Sequence, residues 1–255
     1  MKLAASFLIV LCVGCGAAPE AGEERLGATR QAASNKDFDV DLADCSEFAG
    51  IGLVPAANAQ ALVPAGYTPV AIGAQAMVVV RVAKCASAVI DGKGVGETST
   101  AQVGVSLQGP DASADINNYT VFYATNQARL HARLQAAGLR ADNSNDLALS
   151  LAEGSLLATS ASPHSSSYQV SGSAQTPSAA PVQFVASWWA DGVHGAVQSR
   201  TVFPSIVFFT GASTTLTTAA GTELASLIGG TSLSFAILDS YNTFPSAHLE
   251  VRDTD

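Results

Sequence analysis

Val182-Gln-Phe-Val-Ala-Ser-Trp-Trp-Ala-Asp-Gly-Val-His-Gly-Ala-Val-Gln-Ser-Arg200 is the most sharply patterned stretch of this 255-residue chain. Asp191-Gly192 between two β-prone runs predicts a hairpin, because a type I′ turn needs positive φ at both central residues. That turn sets a register in which Trp189 faces His194, Ser187 faces Ala196, Val185 faces Gln198 and Gln183 faces Arg200. The opposite face carries Trp188 over Gly195, with Phe184, Ala186 and Val197 behind it. One side is therefore apolar and packs, while the other mixes Trp, His, Gln and Arg. A mixed face of this kind either meets solvent or lines a wet cavity.

Working outward, the same period of two recurs. Met77-Val-Val-Val-Arg-Val82, Gln102 to Leu107 and Tyr119 to Tyr123 read as strands, with Gly109-Pro110 and Asp115 to Asn118 as punctuation. Runs over 168–171, 182–190, 193–203, 206–209, 232–238 and 247–251 continue it. No repeat of fixed period is present. The expected fold is mainly β, an antiparallel barrel or sandwich, with two or three short helices. Asn126 to Gly138 places Leu130, Leu134 and Ala137 on one helical stripe, with Gly138 as its stop. Arg129, His131 and Arg133 would then form a solvated face. Thr222 to Gly229 and Ala57 to Leu62 are shorter helix candidates.

At the amino end, Lys2 precedes an uncharged apolar run, Leu3 to Val13. It is too short to span a bilayer and suits a secretory leader. Cys12-Val-Gly-Cys15 resembles a bacterial lipobox, with Cys12 where Leu is usual. The resemblance implies cleavage before Cys15 and acylation of its thiol, giving a lipid-anchored protein of the cell envelope, at the outer membrane or periplasmic face in a Gram-negative host. Ordinary cleavage after Ala17 or Ala18 is the alternative. A redox CxxC pair would sit at a helix start within a folded domain, not in an apolar leader. The chain therefore divides into a leader (1–14), a lipidated Cys15 with a flexible, Ala/Gly/Glu-rich tether (15–36), and one β-rich domain (37–255).

With Cys12 discarded and Cys15 committed to lipid, Cys45 and Cys85 remain. A leftover pair in an exported domain reads as a disulfide, two buried thiols being the alternative. Hydrophobic residues at 48% against 13% charged describe a chain able to bury a large core. A formal charge of -9 repels phosphate backbones and excludes nucleic acid as the expected partner.

Ala57-Asn-Ala-Gln-Ala-Leu-Val-Pro-Ala-Gly-Tyr67, followed by a hydrophobic strand, is similar to the opening of acetoacetate decarboxylase-like proteins. Tyr119-Thr-Val-Phe-Tyr-Ala-Thr-Asn126, leading into a helix that ends Ala-Ala-Gly-Leu139, looks like the strand-to-helix step beside that family's active site. The likeness covers Asp44 to Leu139 in outline, with the β-rich remainder. It implies a barrel-like fold around a small, largely apolar cavity. The family's Schiff-base chemistry needs a lysine with a lowered pKa. Here lysines stand only at 2, 36, 84 and 93, and the helix after Tyr123 offers Arg129 and Arg133, whose guanidinium stays protonated.

Other chemistry is unsupported. Gly104-Val-Ser-Leu-Gln-Gly109 lacks the nucleophile-elbow spacing. The four histidines, at 131, 164, 194 and 248, form no metal-ligand spacing, so neither a metal nor a cofactor is expected. Asp91-Gly-Lys-Gly-Val-Gly96 reads as a hairpin tip, not a phosphate loop. Two functional readings remain beside a purely structural surface protein. The first is a lipid-anchored barrel binding a small apolar or carboxylate-bearing ligand through Trp189, His194, Gln198 and Arg200, with Trp188 and Tyr123 as walls. The second is an enzyme with a decarboxylase-like cavity using His194 as acid or base.

Overall fold

The computed structural model of the protein describes residues 37–161, 167–192 and 195–254. The leader, Cys15 and the tether, together with His164 and His194, lie outside the described residues. The first elements in chain order are β1 (Phe38–Pro55), α1 (Ala56–Gln60), β2 (Ala71–Ile72), β3 (Gln75–Ile90), β4 (Lys93–Ser106), β5 (Ile116–Thr125) and α2 (Ala128–Ala136). Next come β6 (Asp142–Asn143), β7 (Ala148–Ala152), β8 (Ser155–Ser160), β9 (Tyr168–Ser173) and β10 (Val182–Gly192). The chain closes with β11 (Gly195–Phe209), β12 (Ser213–Thr218), α3 (Glu223–Ile228), β13 (Ser232–Ser234) and β14 (Leu238–Asp253).

Seven strands close into a barrel in the order β1-β14-β11-β10-β5-β4-β3, with β3 returning to β1. All these pairings are antiparallel except β10 with β5. Among the described residues the chain is thus mainly β with three short helices, as its periodicity predicts. A second sheet, in the order β13-β12-β9-β8-β7, covers one flank. The valine run of β3 follows from this layering. Val79 turns into the barrel, while Val78, Val80 and Val82 pack under the second sheet with Leu156, Val170 and Leu216. A strand buried on both faces reads as continuous apolar sequence.

β1 serves both layers by changing phase once. Phe38, Val40 and Leu42 are buried, Asp44 takes φ 51°, and Cys45, Glu47, Ala49 and Ile51 then occupy the inner positions. The one-residue slip sends Phe48 outward, where its ring meets Phe235 at 5.2 Å. Directly opposite Cys45 on β3 stands Cys85, and the two form the disulfide. Closing a separation of 40 residues removes unfolded-chain entropy equivalent to about 4 kcal/mol.

The β10–β11 hairpin departs from expectation. The ladder runs through Asp191 to the pair Gly192–Gly195, so Trp189 opposes Gln198 and Ser187 opposes Arg200. The displacement is four residues, an even number, so each side chain keeps its expected face. Two contacts override the turn propensity. β11 is held in register by β14 from Val197–Asp253 to Val202–His248. A Cβ on Gly192 would also lie 2.7 Å from Val197 Cγ2 and 3.0 Å from the Ala137 carbonyl, so glycine serves close packing there. The chain's other Asp-Gly does turn: Asp91 (φ 49°) and Gly92 (φ 72°) join Ile90 to Lys93.

Two stretches expected as separate strands, 193–203 and 206–209, fall, in their described residues from Gly195 onward, on one strand, β11. Its ladder with β14 lapses between Val202–His248 and Val207–Thr243. Pro204 and Pro245, which lack N–H donors, fall in that gap. α2 packs against the end of the barrel where β1 begins, burying Leu130 and Leu134 in the same cluster as Phe38 and Val40. Its expected solvated face is instead engaged: Arg133 Nη2 donates to the Asp37 carbonyl (2.6 Å), Arg129 Nε to that of Ile90 (3.2 Å), and His131 Nε2 meets the Ala141 carbonyl at 3.1 Å.

Candidate functional site: the barrel cavity

Away from α2, the barrel interior holds a cavity of about 280 Å³. Its wall is apolar almost throughout: Ala49 and Ile51 from β1, Val79 from β3, Ile116 from β5, Phe184, Ala186 and Trp188 from β10, Phe203 and Phe208 from β11, and Leu238 from β14. Ile51, Ile116, Phe184, Phe208 and Leu238 are half-buried and form its rim. For scale, an engineered apolar cavity of ~150 Å³ takes up benzene.

Glu47, Arg81 and Asn242 supply the polar part of the wall. Arg81 Nε donates to Glu47 Oε2 at 2.8 Å, a second guanidinium nitrogen reaches the same oxygen, and Nη1 donates to Gln102 Oε1 at 2.9 Å. Asn242 Nδ2 donates to Glu47 Oε1 at 3.4 Å and receives the Ser240 hydroxyl on its Oδ1. The charges cancel inside the barrel, and the remaining lone pairs are shared with neutral groups, as a buried ion pair requires. Tyr123 is buried in the adjoining core; burial pushes its phenol up to about 12, with the Arg81 charge working in the opposite sense.

Trp188 is set by Gly104 on β4. A Cβ at Gly104 would stand 2.7 Å from Trp188 Cζ3 and 2.5 Å from the Tyr119 carbonyl oxygen. The missing side chain is the space into which the indole lies, and Trp188 is 2% exposed.

Trp189, Gln198 and Arg200 are also brought together, on the other face of β10 and β11. They border an open recess of about 320 Å³ with Pro110, Asp111, Ala112 and Ser113. Asp111 organises it: its Oδ2 accepts from Ser187 Oγ (2.7 Å) and Gln198 Nε2 (3.1 Å), with Arg200 Nε at 3.6 Å. Burial works to raise this carboxyl, but hydrogen bonds from Ser113 and Ser187 and the Arg200 charge outweigh it and hold it at about 2. Trp189 Nε1 donates to Asn117 Oδ1 at 3.1 Å. The structure therefore divides the sequence-derived residues: Trp188 lines the cavity, Tyr123 lies in the core beside it, and Trp189, Gln198 and Arg200 sit outside.

Sequence reasoning missed Arg81 and Glu47. The signal was an arginine within Val-Val-Val-Arg-Val, where a charge in an otherwise buried strand needs a buried partner. Lys84 pairs with Glu97 at 3.2 Å on an exposed surface, and Lys93 is exposed at the β3–β4 turn. Among the described residues, no lysine or histidine lines the cavity. Asp39, His248 and Glu250 cluster on the barrel exterior. Arg252, which pairs with Asp39 and lies 3.7 Å from Glu250, puts a fixed positive charge where a cation would bind.

No protein-family model matches the sequence, and no curated protein matches it. Solved structures do match. An acetoacetate decarboxylase superposes with a TM-score of 0.55 at 8% identity, covering 84% of this chain and 86% of that one. An acetoacetate decarboxylase-like enzyme from Sphingomonas wittichii RW1 gives 0.52 at 12% identity, covering 91% and 98%. The enduracididine biosynthesis enzyme MppR complexed with pyruvate gives 0.51 at 11% identity, covering 85% and 88%. At such identities the likeness concerns the fold, and the fold is that of an acetoacetate decarboxylase-like barrel.

Proposed function

We propose that this chain is an exported, lipid-anchored binding protein whose barrel holds a small, largely apolar ligand. The cavity beside Trp188 carries the reading, because its volume and its aromatic and aliphatic wall match what small apolar ligands require. The structural neighbours support it, one of them holding pyruvate. Export is supported by the Cys45–Cys85 disulfide, a bond that persists in oxidising compartments, together with the lipobox-like leader. A carboxylate-bearing ligand is the less favoured form, since Arg81 already spends its charge on Glu47.

Calorimetric titration with ethylbenzene tests the binding reading. Wild-type protein binds saturably, while Ala186→Leu and Ala49→Leu, which fill the cavity, abolish binding and keep a cooperative thermal transition. Equal heats from wild type and both filled variants would reject it.

A further inference from the structure

Outside the barrel, aromatic rings and unsatisfied polar groups come together on one face. Trp189 and Tyr119 stand side by side on the adjacent strands β10 and β5, and the Tyr67 ring packs 5.3 Å from Tyr119 and 6.4 Å from Trp189. All three are half-buried. Trp189 borders the open recess of about 320 Å³, and Tyr119 borders a smaller one of about 150 Å³ with Arg140, Asp191 and Glu223. Each recess pairs an arginine with a carboxylate: Arg200 with Asp111 at 3.6 Å, and Arg140 with Glu223 at 3.2 Å.

In the larger recess the polar side chains are held in place without being used up. Asp111 is saturated, accepting from Ser113 N and Oγ on Oδ1 and from Ser187 Oγ and Gln198 Nε2 on Oδ2. Gln198 spends its Nε2 on Asp111 and Ser187, which leaves Oε1 as an open acceptor among the described residues. Arg200 comes no closer to Asp111 than 3.6 Å and makes no hydrogen bond among the described residues, so its donors are open too. Its side chain is 28% exposed, within reach of a solute. Trp189 is fixed through its bond to Asn117. Side chains fixed before a ligand arrives lose little freedom on binding.

An open acceptor and open donors beside an indole suit a ligand whose hydroxyls both donate and accept and whose C–H groups lie against the ring. Pyranose rings with equatorial hydroxyls offer both. Charge argues against an anion, because two arginines meet three carboxylates across the two recesses: Asp111, Asp191 and Glu223.

We propose that this outer face binds a neutral oligosaccharide, one ring stacked on Trp189 with its hydroxyls on Gln198 and Arg200, and a further ring toward Tyr119. The site is separate from the barrel cavity and does not depend on what the barrel holds.

The chain contains two tryptophans, so a ¹⁵N-correlated proton spectrum shows two indole signals, assigned with Trp189→Phe. The probes are cellotriose, triacetylchitotriose and the acidic trigalacturonate. Cellotriose or triacetylchitotriose should move the Trp189 signal saturably and leave that of Trp188, which is 2% exposed, in place. Trigalacturonate should bind more weakly. By ligand-observed saturation transfer, Gln198→Ala and Arg200→Ala should each weaken binding about fivefold. Trp189→Ala should abolish it, while Trp189→Phe, which keeps an aromatic face, should retain most of it. If Trp189→Ala does not fold, the Gln198 and Arg200 variants decide.

A Trp189 signal that stays put with both neutral sugars would overturn the proposal. So would a shift of Trp188 in its place, which would put the sugar inside the barrel. Tighter binding of trigalacturonate would overturn the neutral class, and unchanged affinity in both Gln198→Ala and Arg200→Ala would overturn the assignment of the recess.

Discussion

Inside the barrel, Arg81 donates to Glu47 through Nε at 2.8 Å, and neither residue is a tenth exposed. This pair fixes the polar corner of a cavity that is otherwise aliphatic and aromatic. It explains how a charged residue stands within the valine run of β3.

Removing one member strands the other. Arg81→Met alone is expected to cost about 3–5 kcal/mol in urea unfolding, because Glu47 is left buried without its counter-charge. The double variant Arg81→Met, Glu47→Leu should recover most of that loss. Additive losses would show that the two residues do not depend on each other.

Gly104 holds the space for the Trp188 ring, so Gly104→Ala overpacks the barrel. The expected loss is about 1–3 kcal/mol, with a shift in Trp188 emission measured in a Trp189→Phe background. Unchanged stability and emission would mean that the indole does not lie over β4.

Asp111 gives the outer recess a pH dependence. Its folded-state pKa is lowered from 3.8 to about 2, so its contribution is complete above about pH 4 and disappears as pH falls toward 2. Asp111→Asn should therefore cost on the order of 1 kcal/mol at neutral pH and flatten the acid limb in that window. Parallel acid limbs for variant and wild type would exclude the assigned hydrogen bonds.

Anchoring is tested at Cys15. Wild-type protein expressed in a bacterial host should partition into detergent and carry acyl mass on its new amino terminus. Cys15→Ala should move to the aqueous phase with the Cys45–Cys85 bond still formed. An unprocessed amino terminus in wild-type protein would exclude the lipoprotein reading.

The two Asp-Gly dipeptides show what the sequence could convey. Asp91-Gly92 turns as its propensity dictates, since nothing else crowds it. Asp191-Gly192 looks the same in sequence, but β14 and the Ala137 carbonyl fix a different register. Alternation placed β10 correctly by face and failed on its partner, because face is local and register is tertiary. β1 was invisible for a related reason: its phase change at Asp44 breaks the period of two. β12, Ser213–Thr218, hides because its hydroxyl-rich run buries Leu216 as its one large apolar side chain. The cavity was hardest to read. It required knowing that the apolar face of β10, not the mixed face bearing Trp189 and Arg200, turns into the barrel.

The barrel's role as a container is tested most directly by native mass spectrometry of the full chain purified under non-denaturing conditions. Wild-type protein should carry a discrete small-molecule mass that collisional activation removes and that Ala186→Leu lacks. A wild-type spectrum showing only the bare polypeptide and its amino-terminal lipid, identical in form to that of Ala186→Leu, would contradict it.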